Sequence, residues 1–360
     1  MVTTVQKTHL HEMLEQSQDF DSRKHDHQLP IKSIEFTNVE NLVSMSFTEK
    51  DDGLFAKVAG EFSTVIAPTE WAWRQMFSKL GYTTFGRGST KTLPNDYLMN
   101  IPPDLLATVM NRHIELAEAK DSWFVRGYED TARAVLSKQY ADIGNTELLE
   151  TLVNVTDENP TPDLKFVRST ITPDTLHCKM VWKETNRDDK GGGNYGVGVY
   201  VGNGETGNYK ARVFPMIQRG SCTNSIIVQQ DQGIELVHRG SPAAKRTLIK
   251  SKMIEIFPQA FAMLEKMIEA EERALPSLTD VLNGLSKEYG WDDKTKMSVA
   301  AGTENQETVA GIVNGVSYAA HQLHKDNSDN MVDMEILAGN LLVTPDSVFS
   351  RYARIGKDNQ

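Results

Sequence analysis

Lys210, Arg212, Arg219, Arg239, Lys245 and Arg246 follow one another along a single stretch of the chain. Cations of this kind can neutralise a phosphate backbone, and an amide such as Asn224 can fix a turn or touch a phosphate oxygen. From Tyr209 to Lys252 there are eight Lys or Arg against only two acids, Asp231 and Glu235. A second stretch, Trp71 to Asn100, sets Arg74, Lys79, Arg87 and Lys91 against Asp96 alone. Rings are interleaved with both: Trp71, Trp73, Tyr82 and Phe85 with the one, Tyr209 and Phe214 with the other. Rings that stack on bases, set among cations that hold phosphates, are the general recipe for gripping a single strand. Trp73, Phe77 and Phe214 read as core residues, whereas Tyr82, Phe85 and Tyr209 lie near glycines in loop-like sequence. The whole chain carries a formal net charge of -11, so its cations should form one basic face on an acidic body. The competing reading is a solvated surface on which cations cluster by chance.

Other chemistries find less support. Gly191, Gly193 and Gly196 match the spacing of a dinucleotide fingerprint, but the β-like run Val-Gly-Val-Tyr-Val follows where a helix is required. The stretch is expected to be a hairpin loop. No Gly-x-x-x-x-Gly-Lys-Ser/Thr phosphate loop occurs. Pro173-Asp174 resembles the opening of a metal-nuclease motif, but His177-Cys178-Lys179 stands where its acid-x-Lys would be. The histidine pairs (His9 and His11, His25 and His27, His321 and His324) read as surface residues, because a metal site needs three or four convergent ligands. Asp51-Asp52, Asp188-Asp189 and Asp292-Asp293 read as solvated turn residues. Cys222 has Arg219 nearby but no neighbouring histidine to activate it. No catalytic residue, metal ligand or cofactor is therefore assigned. With two cysteines, no signal-like start and no apolar run long enough to span a bilayer, the expected setting is cytoplasmic, without a membrane.

The elements that must position these residues read as α+β: antiparallel hairpins forming a curved sheet packed with helices, then a helical C-terminal region. Residues 1–30 are expected to be a polar arm, either mobile or folded as a short helix from His9 to Gln18 that packs on a neighbour, 31–240 an α+β core, and 241–360 helical. Asp51-Asp52-Gly53 marks a hairpin turn. Thr69 caps a helix ending at Gly81, and Pro102-Pro103 opens another. "DSWFVRGYEDTARAVLSKQY" reads as a hairpin, "NTELLETLVNV" as a helix capped by Asn145, and "LKFVRSTIT" and "LHCKMVWKE" as strands around Pro173-Asp174. Val213–Ile217 and Ile226–Val228 predict two strands flanking a polar run. Beyond Pro242, apolar residues recur at helical spacing through Pro258, where a bend is expected.

Three stretches together resemble a domain-of-unknown-function family encoded by plasmids and prophages. "TEWAWRQMFSKLGY" with "YLMNIPPDLLATVMNRHIE" is similar to its helix, loop and proline-opened helix. Ala134, Ser137, Tyr140 and Asn145 fit its Ala-x-x-Ser-x-x-Tyr-x-x-x-x-Asn signature. "FPMIQRGSCTNSIIV" is similar to its Cys-x-Asn-Gly element, with Ser225 in place of glycine. The resemblance covers roughly residues 60–270 and carries no assigned chemistry. By analogy, its mobile-element setting and its hairpin-plus-helix pattern look like those of phage single-strand annealing proteins.

Charge pattern and resemblance together imply a phage- or plasmid-encoded protein that binds and anneals single-stranded DNA in recombination, without ATP or metal, in the host cytoplasm. The expected contacts are Lys210, Arg212, Arg219, Asn224, Arg239, Lys245, Arg246 and Arg87, with Tyr82 and Phe85 as stacking rings. RNA is the other nucleic acid such a groove could take. Self-association into a homo-oligomer is expected from apolar helix faces and open sheet edges. The alternatives are an oligomeric viral assembly protein, or a hydrolase whose site leaves no sequence signature.

Overall fold

A computed structural model describes residues 4–39, 42–48, 63–79, 100–118, 121–158, 164–188, 194–219, 224–229, 233–324 and 328–357. Short alternating segments build its first sheet: β1 (Lys24–Pro30), β2 (Ile34–Val39), β3 (Leu42–Thr48), β4 (Ser63–Pro68), β5 (Ser122–Tyr128) and β6 (Thr131–Leu136). Their order is β1-β5-β6-β4-β3-β2. Every ladder is antiparallel except a short parallel one that joins β4 to β6. Helix α2 (Glu70–Lys79) starts where the Thr69 hydroxyl accepts the Ala72 N–H at 3.2 Å. It turns Trp73, Met76 and Phe77 onto the sheet. Helix α3 (Pro103–Leu116) does the same with Leu106, Met110 and Ile114. Pro103 suits its first turn because the N–H that proline lacks would have no helical partner there. The Asn111 amide fixes α3 on β2 with two 2.8 Å bonds to the Phe36 backbone.

The second sheet contains β7 (Leu164–Ile171), β8 (Thr175–Asp188), β9 (Asn194–Gly204), β10 (Ala211–Arg219) and β11 (Ser225–Ile227), in the order β11-β10-β9-β8-β7, with β12 (Ile234–Leu236) also on β10. β9 pairs antiparallel with β8 and Gly196 lies within it, so among the described residues this glycine leads along a strand and not into a helix. Gly191 and Gly193 lie outside the described residues. Around this sheet lie α1 (Thr4–Ser22), α4 (Asn145–Glu158), α5 (Pro242–Ala270), α6 (Leu278–Tyr289), α7 (Asp293–Gly302), α8 (Val309–His324), α9 (Ser328–Leu342) and α10 (Asp346–Lys357). Leu176, Met180, Val197, Val199 and Val213 share one large core with Leu149, Ile256, Met263 and residues of α6, α8 and α10. On the opposite face, Val181, Tyr200, Phe214, Met216 and Ile227 pack against Val332 and Ile336 of α9. The chain is thus α+β, with helices on both faces of the second sheet.

Three expectations change. Residues 4–30 are not a mobile arm but pack on the rest of the chain. Leu10 and Met13 of α1 are buried with Leu148, Leu152 and Val155 of α4, and all seven residues of β1 pair with β5. Residue 240 marks a change of secondary structure, not a break between cores, since the helices beyond it complete the core of β8–β10. Asn145 does not cap α4 with its side chain, whose oxygen instead accepts from Asn203 at 2.9 Å. Pro258 lies inside α5, within one continuous helix. The Asp51–Gly53 turn and the Gly81 stop lie outside the described residues. No helix among the described residues is long and apolar enough to cross a membrane.

Candidate functional site

The turn between β9 and β10 ties the two sheets together. The Trp71 indole and the Gln75 amide of α2 both donate to the Thr206 carbonyl, at 2.9 and 2.8 Å. The Tyr140 hydroxyl and the Arg126 guanidinium donate to the Glu205 carbonyl, at 2.8 and 2.9 Å. The Glu205 side chain is fully buried. It accepts the Asn145 N–H at 2.8 Å, where it also meets the positive end of α4, and it pairs with Lys24 at 2.6 Å and Arg133 at 3.5 Å. These bonds hold α2 and the end of β6 opposite the strands around residue 210.

Between them opens a cleft of about 640 Å³. Arg74, Lys79, Lys210 and Arg239 line it together with Trp71, Tyr140, Tyr209 and His238, and no acid is among the described lining residues. Trp71 is 39% exposed. The His238 ring lies parallel to Tyr140 at 4.9 Å. Arg74 is held by Glu70 at 2.7 Å, and Lys210 pairs with Glu235. Arg239 is exposed and has no carboxylate partner among the described residues. Each of the two cationic stretches of the sequence supplies one wall.

Of the nucleic-acid contacts expected from the sequence, Lys210 and Arg239 alone among the described residues line this cleft. Arg219 is instead a buried ion-pair partner, its guanidinium bidentate to Glu304 at 3.1 and 3.2 Å. Asn224 is also buried, and its carbonyl accepts the Arg219 N–H at 3.2 Å as the strands diverge. Neither is placed to meet a phosphate. Arg212 sits between Glu235 at 3.0 Å and Asp333 at 3.8 Å, over the Tyr209 ring. Arg246 Nη1 donates to both carboxylate oxygens of Glu147, at 2.7 and 3.0 Å, and Lys245 donates to the Val237 carbonyl. Acids of distant segments thus pair with Arg212, Arg219 and Arg246 in a stretch that looks basic when read in line. Arg87, Tyr82, Phe85 and Cys222 lie outside the described residues. Ser225 begins β11 without a positive φ, so the missing glycine brings no strain there. Trp71, Tyr140 and His238 were not assigned as contacts, although Tyr140 belongs to the Ala-x-x-Ser-x-x-Tyr pattern.

A second polar cluster lies under α9. Lys179 of β8 donates to Glu335, which also binds His321 at 3.0 Å, while His177 bonds Asp329 at 2.7 Å and Tyr200 at 2.8 Å. None of these residues lines the cleft. Burial pushes the Cys178 thiol up to about 12, which leaves it protonated and inert. Asp174 bonds Arg133 at 2.9 Å. Among the described residues no three His, Cys, Asp or Glu side chains converge on a point where a metal could sit.

His238 gives the cleft a pH signature. Burial lowers its pKa, with the bond between Nδ1 and the Ala141 carbonyl at 3.1 Å acting in the opposite direction. The unfolded chain therefore binds a proton that the folded chain resists. Stability should fall as pH drops through the ordinary histidine value of about 6.5, and the loss should level off below the lowered folded value. Melting curves from pH 8 to 5 should show a drop that shrinks in His238→Gln. An unchanged slope in that variant would assign the drop to other groups.

No family model, curated protein or solved structure matches the chain, so the plasmid and prophage resemblance rests on its three motifs alone.

Proposed function

We propose that the chain binds single-stranded nucleic acid, DNA in the first place, in the cleft between its two sheets, and that it promotes annealing of the strand it holds. The observation that supports this is the cleft's lining: four cations, four aromatic or imidazole rings and no acid among the described residues. Cations fix the backbone without reading sequence, and rings stack on any base. Neither task calls for ATP or a metal ion. A phage or plasmid origin, action in recombination and assembly into a homo-oligomer belong to the same proposal and come from the sequence pattern.

The test is a salt titration of oligonucleotide affinity. Binding to single strands should weaken with a log–log slope of about -0.7 for each phosphate neutralised. Arg239→Glu should weaken binding and make the slope shallower by roughly 0.7 to 1.4, one to two phosphate contacts, because the new carboxylate also repels. Arg219→Ala should lower the melting temperature and leave the slope unchanged, since its partner is Glu304. Absence of binding at low salt would remove the nucleic-acid reading and favour an assembly protein. Tighter binding of an RNA of the same sequence would exchange the ligand and keep the site.

A further inference from the structure

We propose that the bound strand does not end in this cleft but continues into a second one beside it, so that the ligand is an extended polyanion and not a mononucleotide. This rests on the cleft being a nucleic-acid site. The second cavity, of about 580 Å³, adjoins the first, and Lys79 and Ser137 line both. The tight turn after β6 separates them. It is closed by the Tyr140 N–H bonding the Ser137 carbonyl at 2.9 Å. Ser137 and Tyr140 line the first cavity, whereas Lys138 and Gln139 line the second.

The cations are therefore spread along a path: Lys210 and Arg239 in the first cavity, Lys79 at the boundary, and Lys138 in the second. Lys138 is exposed and has no carboxylate partner among the described residues. Asp121 is the one acid among the described lining of the second cavity. A ligand with a single phosphate group could engage only one part of this row. A strand with regularly repeated charge can engage all of it, and each neutralised phosphate adds to affinity by releasing counterions.

The experiment compares two deoxythymidine oligonucleotides, of ~4 and ~12 nucleotides, across the range of known single-strand site sizes. Anisotropy titrations would use wild-type protein, Arg239→Glu and Lys138→Glu, with melting curves to confirm that both variants fold. Both oligonucleotides should need Arg239. Lys138→Glu should weaken the longer one about tenfold, flatten its salt slope by about 0.7 and leave the shorter one unchanged. If Lys138→Glu leaves the longer oligonucleotide unchanged while Arg239→Glu still weakens it, the strand stays in the first cleft and only the continuation fails. Equal loss for both lengths would mean a general effect of charge and would also overturn the continuation. If neither oligonucleotide binds at low salt, the nucleic-acid reading beneath it fails as well.

Discussion

Replacing either Lys179 or Glu335 with alanine should destabilise the fold by about 3–5 kcal/mol, the range for breaking one side of a buried ion pair. Lys179 is 1% exposed and Glu335 fully buried, and together they join β8 to α9 across the second sheet. Burial lowers the Lys179 pKa, and Glu335 acts in the opposite direction, so the ammonium depends on this one carboxylate. Loss of Glu335 strands the ammonium where water cannot reach it, and loss of Lys179 leaves the buried carboxylate with His321 alone. Lys179→Met combined with Glu335→Leu should recover part of the loss, because apolar groups of similar volume need no partner there, although His321 still loses its bond to Glu335. Guanidinium unfolding of the two single variants and the double variant measures this. Single variants within about 1 kcal/mol of wild type would show that water or another group takes over the pairing.

The second large effect should come from adding one methyl group to either of two glycines. In an isolated helix, Gly→Ala stabilises by up to about 1 kcal/mol. Gly284 of α6 and Gly356 of α10 should reverse that sign. A Cβ at Gly284 would lie far inside contact distance of the Tyr352 carbonyl, and one at Gly356 would collide in the same way with the carbonyl of Asp280. Backbone cannot swing aside as a side chain can, so the helices must part. Each substitution should cost roughly 2–3 kcal/mol net, towards the top of the overpacking range. The double variant should lose less than the sum, because helices already parted by one methyl group accept the second more easily. A higher unfolding midpoint for Gly284→Ala would mean that the two helices are not closely packed in solution.

Local patterns carried much of the fold. Turn residues and alternation marked β5–β6 and β7–β8, Pro102-Pro103 and Pro242 marked helix starts, and the segments around residues 213 and 226 became β10 and β11. β1 escaped notice because "KHDHQLP" shows little alternation, and its strand character comes from pairing with β5, about a hundred residues away in sequence. Asn145 looked like a cap by its position, but capping is decided by where the amide points, and Asn203 claims it. The candidate site was half legible. Clustering of cations marked the two stretches that form the cleft walls, but charge counted along a chain does not reveal its partners. Glu304, Glu147 and Asp333 come from elements remote in sequence and pair with Arg219, Arg246 and Arg212. Tyr140 and His238 become neighbours only when the residue 140 bridge pairs with residue 239.

The pairing of β1 with β5 and the packing of α1 on α4 also set the order in which a growing chain can fold. Both N-terminal elements emerge from the ribosome long before their partners, at residues 122–128 and 145–158. Until then β1 has an unpaired edge and α1 an uncovered apolar stripe. The second sheet waits longer still, since α5 covers one face and α9, which begins at Ser328, covers the other. Contacts so distant in sequence slow folding and lengthen the exposure of sticky surface. A nascent chain halted near residue 240 would present one face of β8–β10 bare and the other covered only by α1 and α4, so synthesis of this protein should depend on chaperones that shield apolar strands until α5 and α9 have been made.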